Sequence, residues 1–229
     1  MKEYKNEFYI IATPIGNLED ITHRALKILT EVDTILCEDT RVTRKLLQHY
    51  SITTPTESYH AQASENKENS IIERINNGMT FGLVSDAGTP TISDPGVRLI
   101  HRLWEECPST KITSIPGASA LITAITTTGF IGNQFTFYGF LPHKKGRNKI
   151  FNEIEQSSRM SVFYESPHRL LKTLLELNNR FGDNRNIAVG RELTKLFEET
   201  VRGTAQEVYL FFKENPEHVR GECVIIIDK

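Results

Sequence analysis

The sequence has few of the residues and patterns that mark disulfide-bonded, metal-binding or membrane proteins. Its three cysteines are scattered at Cys37, Cys107 and Cys223 and form no CxxC pair, so neither a zinc ribbon nor a disulfide framework is indicated. We expect each cysteine to be a small buried apolar residue. No apolar run approaches the roughly 20 residues that span a bilayer, and the stretch at 8–12 is too short for a secretory signal. These absences favour a metal-free protein of the cytoplasm.

Charge and loop motifs disfavour several common ways of holding a phosphate. The net charge of −2 gives no global attraction to nucleic acid, so any polyanion must be held by a local basic patch. Neither GxGxxG nor GxxxxGK[ST] occurs, which argues against a dinucleotide fingerprint and a P-loop. The hydrophobic content of 38% is that of an ordinary globular protein, with apolar mass for one large core or two modest ones.

In the first half of the chain, short apolar segments alternate with amphipathic ones. Asp94 and Pro95 are interpreted as the N-cap and first residue of one helix, and Gly78 is placed to end another. Strands separated by helices imply right-handed crossovers and a parallel sheet. The predicted strands are 8–12, 34–39, 80–86 and 110–116, and the predicted helices are 21–32, 41–50, 64–77, 95–106 and 118–128.

The second half begins after a threonine-rich segment at 126–129 that is typical of a linker region. Ser166 and Pro167 again form a cap followed by proline. The simplest interpretation is an α/β protein of two domains, an amino-terminal domain at 1–117 and a carboxy-terminal domain at 118–229. Strands are predicted at 135–140, 160–165, 187–192 and 222–228, and a helix at 204–215.

Three glycine- and proline-rich segments follow strands of the first half. They are the turn at Pro14, the loop at 85–96 that contains Gly88, and the segment at Gly117 that leads directly into a helix. Ligands of open α/β sheets bind beyond the carboxyl ends of the strands, and exposed amides at a helix start can bind a carboxylate or a ribose oxygen. One such loop is usually an ordinary turn, but three at one edge indicate a site.

Charged residues follow strands in both halves. Four cations within residues 144–149 can clamp phosphates or can be a solvated basic loop. Asp39 either caps a helix or belongs to a site, and Arg191 with Glu192 is either a structural ion pair or part of a site. His168, in the first turn of a helix, is more often a surface residue than a catalyst.

Nine motifs occur along the chain in the following order: ATPIGNLEDIT, CEDTR, LVSDAGTPTISDPG, IPGASA, GFLPHKKGR, FYESPHR, RELTKLFEE, VRGT and GE at 221–222. Together they resemble the motifs of the tetrapyrrole methylase superfamily, in the branch that methylates ribose in small-subunit ribosomal RNA. The resemblance covers essentially all 229 residues. It implies a parallel-sheet amino-terminal domain and a mixed-sheet carboxy-terminal domain, with S-adenosylmethionine in the cleft between them, a homodimer and no metal.

The resemblance also implies which residues contact the cofactor. Pro14 lies against it, Ser85, Asp86 and Ala87 contact its ribose and methionine parts, and Gly203 closes over the adenine. Gly88 and Gly117 shape the backbone of the same pocket. The remaining expected contacts are Ile92, Ser119 and Ala120 and, from the second domain, Tyr164 and Glu165.

The reaction that the resemblance implies is methyl transfer to the 2′-hydroxyl of a cytidine in the decoding region of 16S rRNA. This reaction needs in-line alignment of oxygen, methyl carbon and sulfur, and a group that accepts the hydroxyl proton. Candidates for that group are Asp39, Glu165, His168, Glu192 and Lys195. Candidates for holding RNA phosphates are Arg41, Lys144, Lys145, Arg147 and Arg191.

Three other functions remain open from the residues. A methylase of a corrin or porphyrin precursor has the same fold and cofactor, although the basic loop and the CEDTR motif argue against it. A protein that binds S-adenosylmethionine without catalysing transfer fits the glycine loops equally well. A methylase of a protein side chain is less consistent with the motif set.

Overall fold

The structure is a computed structural model that describes residues 6–229. Residues 1–5, which belong to the predicted amino-terminal domain, lie outside the described residues. Contacts divide the chain into two compact units between Ser119 and Ala120, two residues beyond the boundary expected from the sequence. Each unit contains one five-stranded sheet. Two α/β domains are therefore confirmed.

The first unit is built on a sheet in which all the pairings are parallel, with strand order β3-β2-β4-β1-β5. This confirms the parallel sheet predicted from the alternation of strands and helices. The strands are β1 Asn6–Ile11, β2 Thr34–Cys37, β3 Thr56–Ser58, β4 Phe81–Leu83 and β5 Thr110–Ile115, and the helices are α1 His23–Glu31, α2 Thr40–His49, α3 Glu65–Asn76 and α4 Val97–Glu106, with a 3₁₀ turn at Leu18–Asp20.

Local signals set most helix ends of this unit. The Asp39 side chain accepts a hydrogen bond from the Arg41 amide at the start of α2, and Gly78 follows α3 with a φ of 95°. The predicted start of α4 at Asp94 and Pro95 is wrong, because the helix begins at Val97 after Gly96. Gly96 has a φ of 125°, a conformation that favours glycine, and it turns the chain only after Pro95.

The second unit is built on a mixed sheet, as the resemblance implies, with strand order β6-β7-β10-β8-β9. Strand β10 runs antiparallel to both of its neighbours, β7 and β8. The strands are β6 Phe135–Phe140, β7 Met160–Glu165, β8 Asn186–Arg191, β9 Glu199–Thr204 and β10 Cys223–Ile227, and the helices are α5 Ala120–Thr128, α6 Arg147–Gln156, α7 Pro167–Phe181 and α8 Ala205–Glu214, with a 3₁₀ turn at Pro216–His218.

The threonine-rich segment that was expected to be part of a linker is the last turn of α5. The hydroxyls of Thr126, Thr127 and Thr128 each donate to the carbonyl three residues earlier. This bonding satisfies the polar side chains within the helix. The helix predicted to end at Thr128 is thus confirmed, whereas the linker interpretation of 126–128 is wrong.

Apolar cores lie on both faces of the first sheet and within the second unit. Leu36 belongs to one core, whereas its neighbours Ile35 and Cys37 belong to another, as expected when alternate residues of a strand face opposite sides. All three cysteines are free and buried, which confirms the prediction for them. Within residues 6–229, no helix combines the length and apolar character needed to cross a membrane.

Candidate functional site

The loops that follow β1, β4 and β5 meet at one edge of the first sheet. The amides of Thr13 and Gly88 each donate to the other's carbonyl, at 2.9 and 3.0 Å, and the Ala12 amide donates to the Ile115 carbonyl at 3.3 Å. The Thr89 hydroxyl adds a bond to the Ala118 carbonyl at 3.1 Å. The convergence predicted for the three glycine- and proline-rich segments is therefore confirmed.

Two glycines make this packing possible. Gly88 has a φ of 82°, which side chains rarely adopt. A Cβ on Gly117 would lie 2.9 Å from the Cβ of Ala12, so a side chain there would push the loops apart. Glycine at both positions keeps the backbones of the three loops close.

In the loop after β4, some of the residues expected to contact the cofactor are buried and others are exposed. Ser85 is only 3% exposed, and its hydroxyl donates to the Ala87 and Gly88 carbonyls. Its side chain therefore holds the loop from inside. Asp86, Ala87 and Ile92 are exposed. Pro14 and Ser119 are half-buried on the neighbouring loops.

Asp39 is held by its neighbours in a way that opposes the catalytic role expected for it. Its amide donates to Asp86 Oδ1 at 3.0 Å, and its carboxylate pairs with the Arg41 guanidinium at 2.6 Å. This hydrogen bond to Arg41 lowers the pKa of Asp39 to about 2, so the carboxylate is a poor proton acceptor. The interpretation of Asp39 as a helix cap is confirmed.

Glu38 is a carboxylate at this edge that the sequence analysis did not select. It is exposed one residue after β2. Its pKa is raised by partial burial and by the negative charges of Asp86 and Asp94, against a smaller opposing effect of His60. Burial is the largest cause of this shift, and the contributions of Asp86 and Asp94 reflect the negative charge at this edge. The sequence predicts a strand over 34–39, which contains Glu38, whereas the observed strand ends at Cys37.

Tyr59, which directly follows β3, is 3% exposed and belongs to the core of the first unit. Its hydroxyl donates to Glu68 at 2.7 Å. Glu68 in turn pairs with Arg98 and Arg102. The phenol therefore anchors a buried polar network instead of facing a ligand.

In the second unit, several charged motifs also converge on one sheet edge. Strands β6, β7 and β8 run in the same direction, because β6 is parallel to β7 and both β7 and β8 are antiparallel to β10. Register pairs Cys223 with both Glu165 and Arg191. The segments after Phe140, Glu165 and Arg191 therefore emerge at this edge, together with Glu222.

Glu165 is a structural carboxylate, contrary to the expected catalytic and cofactor roles. Its side chain is fully buried and pairs with Arg169 at 2.7 Å and with Arg147 at 3.6 Å. It also accepts hydrogen bonds from the Thr173 hydroxyl and the Ser166 amide. Both carboxylate oxygens therefore have partners from the protein itself.

Arg147 and Arg191 are also buried, which contradicts the expectation that they hold RNA phosphates. Arg147 is 8% exposed and Arg191 is 6% exposed. Arg147 bonds to Thr173 and pairs with Glu165. Arg191 pairs with Glu199 at 3.2 Å. The structural alternative for Arg191 is therefore correct, although its partner is Glu199 and not the adjacent Glu192.

Glu192 and Lys195, both expected as catalysts, pair with each other. Lys195 Nζ lies 2.9 Å from Glu192 Oε1. The Glu192 carboxylate also fills the space beside Gly221, where a Cβ would lie 2.0 Å from it. The pair closes a loop, and neither group is a free acid or base.

The exposed candidates of the second unit are fewer. Lys144, Lys145 and His168 are exposed in the segments that leave this edge of the second sheet. Tyr164 is half-buried there, 5.3 Å from the Phe140 ring centroid. Ala120 is the half-buried first residue of α5.

Gly203 lies away from this edge. It pairs with Ile187 at the opposite end of β8 from Arg191, about 13 Å along the strand at the usual rise per residue. The structure therefore does not bring Gly203 close to Tyr164 and Glu165. Within residues 6–229, no group of three or more potential ligands is arranged to hold a metal ion.

Comparisons with known proteins give a consistent family. Residues 7–209 match the model of Tetrapyrrole (Corrin/Porphyrin) Methylases. Ribosomal RNA small subunit methyltransferase I of Synechocystis sp. is 44% identical over 220 residues, covering 96% of this chain and 77% of the relative. The protein of that name from Thermotoga maritima is 42% identical and covers 95% of this chain and 96% of its own.

The fold is shared with a solved structure of lower sequence identity. Uroporphyrin-III C-methyl transferase from Thermus thermophilus, complexed with S-adenosyl homocysteine, superposes with a TM-score of 0.63 at 16% identity. The alignment covers 97% of each chain. At this identity the likeness establishes the fold alone.

Proposed function

We propose a substrate for this chain on the basis of its family: it belongs to the ribosomal RNA small subunit methyltransferase I family of the tetrapyrrole methylases. It is a methyltransferase that uses S-adenosylmethionine. The proposed acceptor is the ribose 2′-hydroxyl of a cytidine in the decoding region of 16S rRNA. We also propose that the protein acts in the cytoplasm and forms a homodimer, which the sequence resemblance implies.

The proposed cofactor position rests on one edge of the first sheet, which we call the locked edge because hydrogen bonds join the three loops there. The loops after β1, β4 and β5 are joined through backbone hydrogen bonds, and Asp86 and Ala87 are exposed on them. When bound, the cofactor supplies an activated methyl group on a positively charged sulfonium. Burial and the negative charges of Asp86 and Asp94 raise the pKa of Glu38, and these negative charges suit the positive sulfonium.

The proton of the ribose hydroxyl needs an acceptor with a free lone pair. Asp39, Glu165, Glu192 and Lys195 are held in ion pairs, so we exclude them from this role. The proposal retains His168 and adds Glu38. A carboxylate with a raised pKa is a better base than one with a pKa of about 2.

Two variants separate these acceptors. If Glu38 accepts the proton, Glu38→Gln lowers kcat strongly at every pH, and His168→Gln leaves kcat unchanged. If His168 accepts the proton, the effects are reversed. Cofactor affinity, measured by calorimetry for each variant, controls for damage to the binding site. Loss of kcat in neither variant would contradict both assignments.

RNA is held, in this proposal, by exposed cations of both units. Lys144 and Lys145 lie in a loop beside Gly146, and the Arg41 side chain is 85% exposed. Phosphate contacts of this kind position the RNA and carry no base specificity. Arg147 and Arg191 are left out because their guanidinium groups are buried in ion pairs.

Mapping ribose methylation on 16S rRNA tests the proposal. Cells that have the gene are expected to carry one 2′-O-methylated cytidine that is absent from cells without it, and the purified protein should restore the mark on small subunits. A matched reaction with labelled cofactor and a porphyrin or corrin precursor tests the alternative substrate class. Methylation of the precursor without any rRNA mark would overturn the proposal.

A further inference from the structure

The loop between β8 and β9 presents two adjacent apolar side chains to solvent. Leu196 is 89% exposed and Phe197 is 69% exposed. We call residues 192–198 the β8–β9 loop, and Leu196 with Phe197 its tip. Single exposed apolar residues are common on proteins, but adjacent large ones often mark a binding surface.

The loop is held firmly by its own polar groups. The Lys195 amide donates to the Glu192 carbonyl, and the Glu198 amide donates to the Lys195 carbonyl, both at 3.0 Å. The Thr194 amide donates to the Glu198 carboxylate at 2.6 Å, and the Lys195 ammonium pairs with Glu192. The position of the tip is therefore set before any partner binds.

This arrangement requires strained backbone. Glu192 and Thr194 have φ angles of 49° and 64°, in the left-handed region that is unfavourable for residues with a Cβ. The Thr194 hydroxyl is also shielded from solvent without a hydrogen-bond partner among residues 6–229. Strain of this kind tends to collect at functional sites. Here the strained backbone holds Leu196 and Phe197, whose side chains are mostly exposed to solvent.

The surroundings of the tip favour a nucleic acid over an apolar protein surface. The β8–β9 loop leaves the sheet at the same edge as the segment after β6, which carries exposed Lys144 and Lys145. Phe140, 56% exposed, lies at that edge too. Exposed rings and exposed lysines at one sheet edge match RNA, whose unstacked bases stack on aromatic side chains while phosphates meet lysines.

We propose that the tip binds an unpaired nucleobase of the rRNA substrate, with the Phe197 ring stacked on the base and Leu196 covering its edge. This inference rests on the proposed function, because it takes RNA as the substrate. The tip contributes affinity for RNA and no chemistry. Stacking tolerates any base, so the contact holds the strand without reading its sequence.

Steady-state methylation of small ribosomal subunits tests the inference. Phe197→Ala is expected to raise KM for the subunits about 10-fold or more, within the range for loss of one stacked base, with kcat and cofactor affinity unchanged. Phe197→Trp should keep KM near that of the parent protein, because it retains a stacking ring. The matched control is Phe135→Ala, since Phe135 is 39% exposed at the opposite end of the sheet and should leave KM unchanged.

Three outcomes would overturn the inference. An unchanged KM in Phe197→Ala would show that no base stacks on Phe197. If Phe197→Ala has a lower molecular mass in analytical ultracentrifugation than the parent protein, the tip forms a contact between copies of the chain. An equal rise of KM in Phe135→Ala shows a general effect of surface substitution. If the parent protein itself methylates no rRNA, the proposed function fails, and this inference fails with it.

Discussion

Replacing Arg147 by methionine is expected to destabilise the second unit without acting directly on RNA binding. Arg147 was a sequence candidate for holding phosphates, but its guanidinium donates to the Thr173 hydroxyl at 2.7 Å and lies 3.6 Å from Glu165. It also pairs with Glu176 at 3.4 Å. Methionine keeps much of the apolar stem and removes the guanidinium, which lies over the Phe151 ring, 5.0 Å from its centroid.

The expected cost follows from what remains around Glu165. Its side chain has no solvent exposure, so it cannot recover its lost interactions from water. Breaking a buried ion pair by removing one partner costs about 3–5 kcal/mol. Arg169 and Thr173 still bond to Glu165 at 2.7 Å, so we expect a cost at the lower end of this range, about 3 kcal/mol. For a unit of this size that corresponds to a fall in Tm of roughly 10 °C.

Calorimetry and amide hydrogen exchange measure this effect. Arg147→Met should melt earlier and exchange faster at the amides of β7 and β10. Lys145→Met, an exposed control two residues earlier in the chain, should stay within about 0.5 kcal/mol of the parent protein. In the background of Glu165→Gln, which already breaks the pair of Arg147 with Glu165, Arg147→Met should cost less than it does in the parent protein. Equal stability of the Arg147 and Lys145 variants, with equal loss of RNA affinity, would refute the reasoning.

Three further predictions concern the exposed edges. Asp86→Ala should weaken S-adenosylmethionine binding about 10-fold or more, as expected for losing a hydrogen bond to a charged group; unchanged affinity in calorimetry would count against the proposed cofactor position. Reversing the charge of Lys144 and Lys145 should raise KM for small subunits and leave cofactor affinity unchanged; a joint loss of both would mean that these lysines are structural. Arg41→Met should raise the pKa of Asp39 from about 2 toward its ordinary value, so that its carboxyl NMR signal titrates at higher pH; a titration that does not move would contradict the ion pair.

Much of the fold was predictable because its signals are local. Buried strands leave apolar runs, and caps such as Ser166 with Pro167 mark helix starts. Strand β9 was missed because its side chains are mostly half-exposed and leave no apolar run. The start of α4 was misplaced because Gly96, with its positive φ, delays the helix beyond a sequence that reads as a cap.

The candidate site was predictable as a set of loops but not as a set of side chains. Glycines and prolines after strands located the edge, since parallel strands end together. Whether a side chain turns inward depends on partners that are distant in sequence. Ser85 bonds within its own loop, while Glu165 and Arg191 meet arginine and glutamate partners in the buried interior. Local patterns do not distinguish such groups from exposed Asp86 or Glu38.

A crystal structure of the protein with S-adenosylhomocysteine tests the central claim most directly. We predict that ligand density contacts the Thr13–Pro14, Asp86–Gly88 and Gly117–Ser119 segments, with the homocysteine sulfur on the side of Glu38 and Asp86. Density bound elsewhere, with these three segments untouched, would contradict the account of the locked sheet edge as the cofactor site.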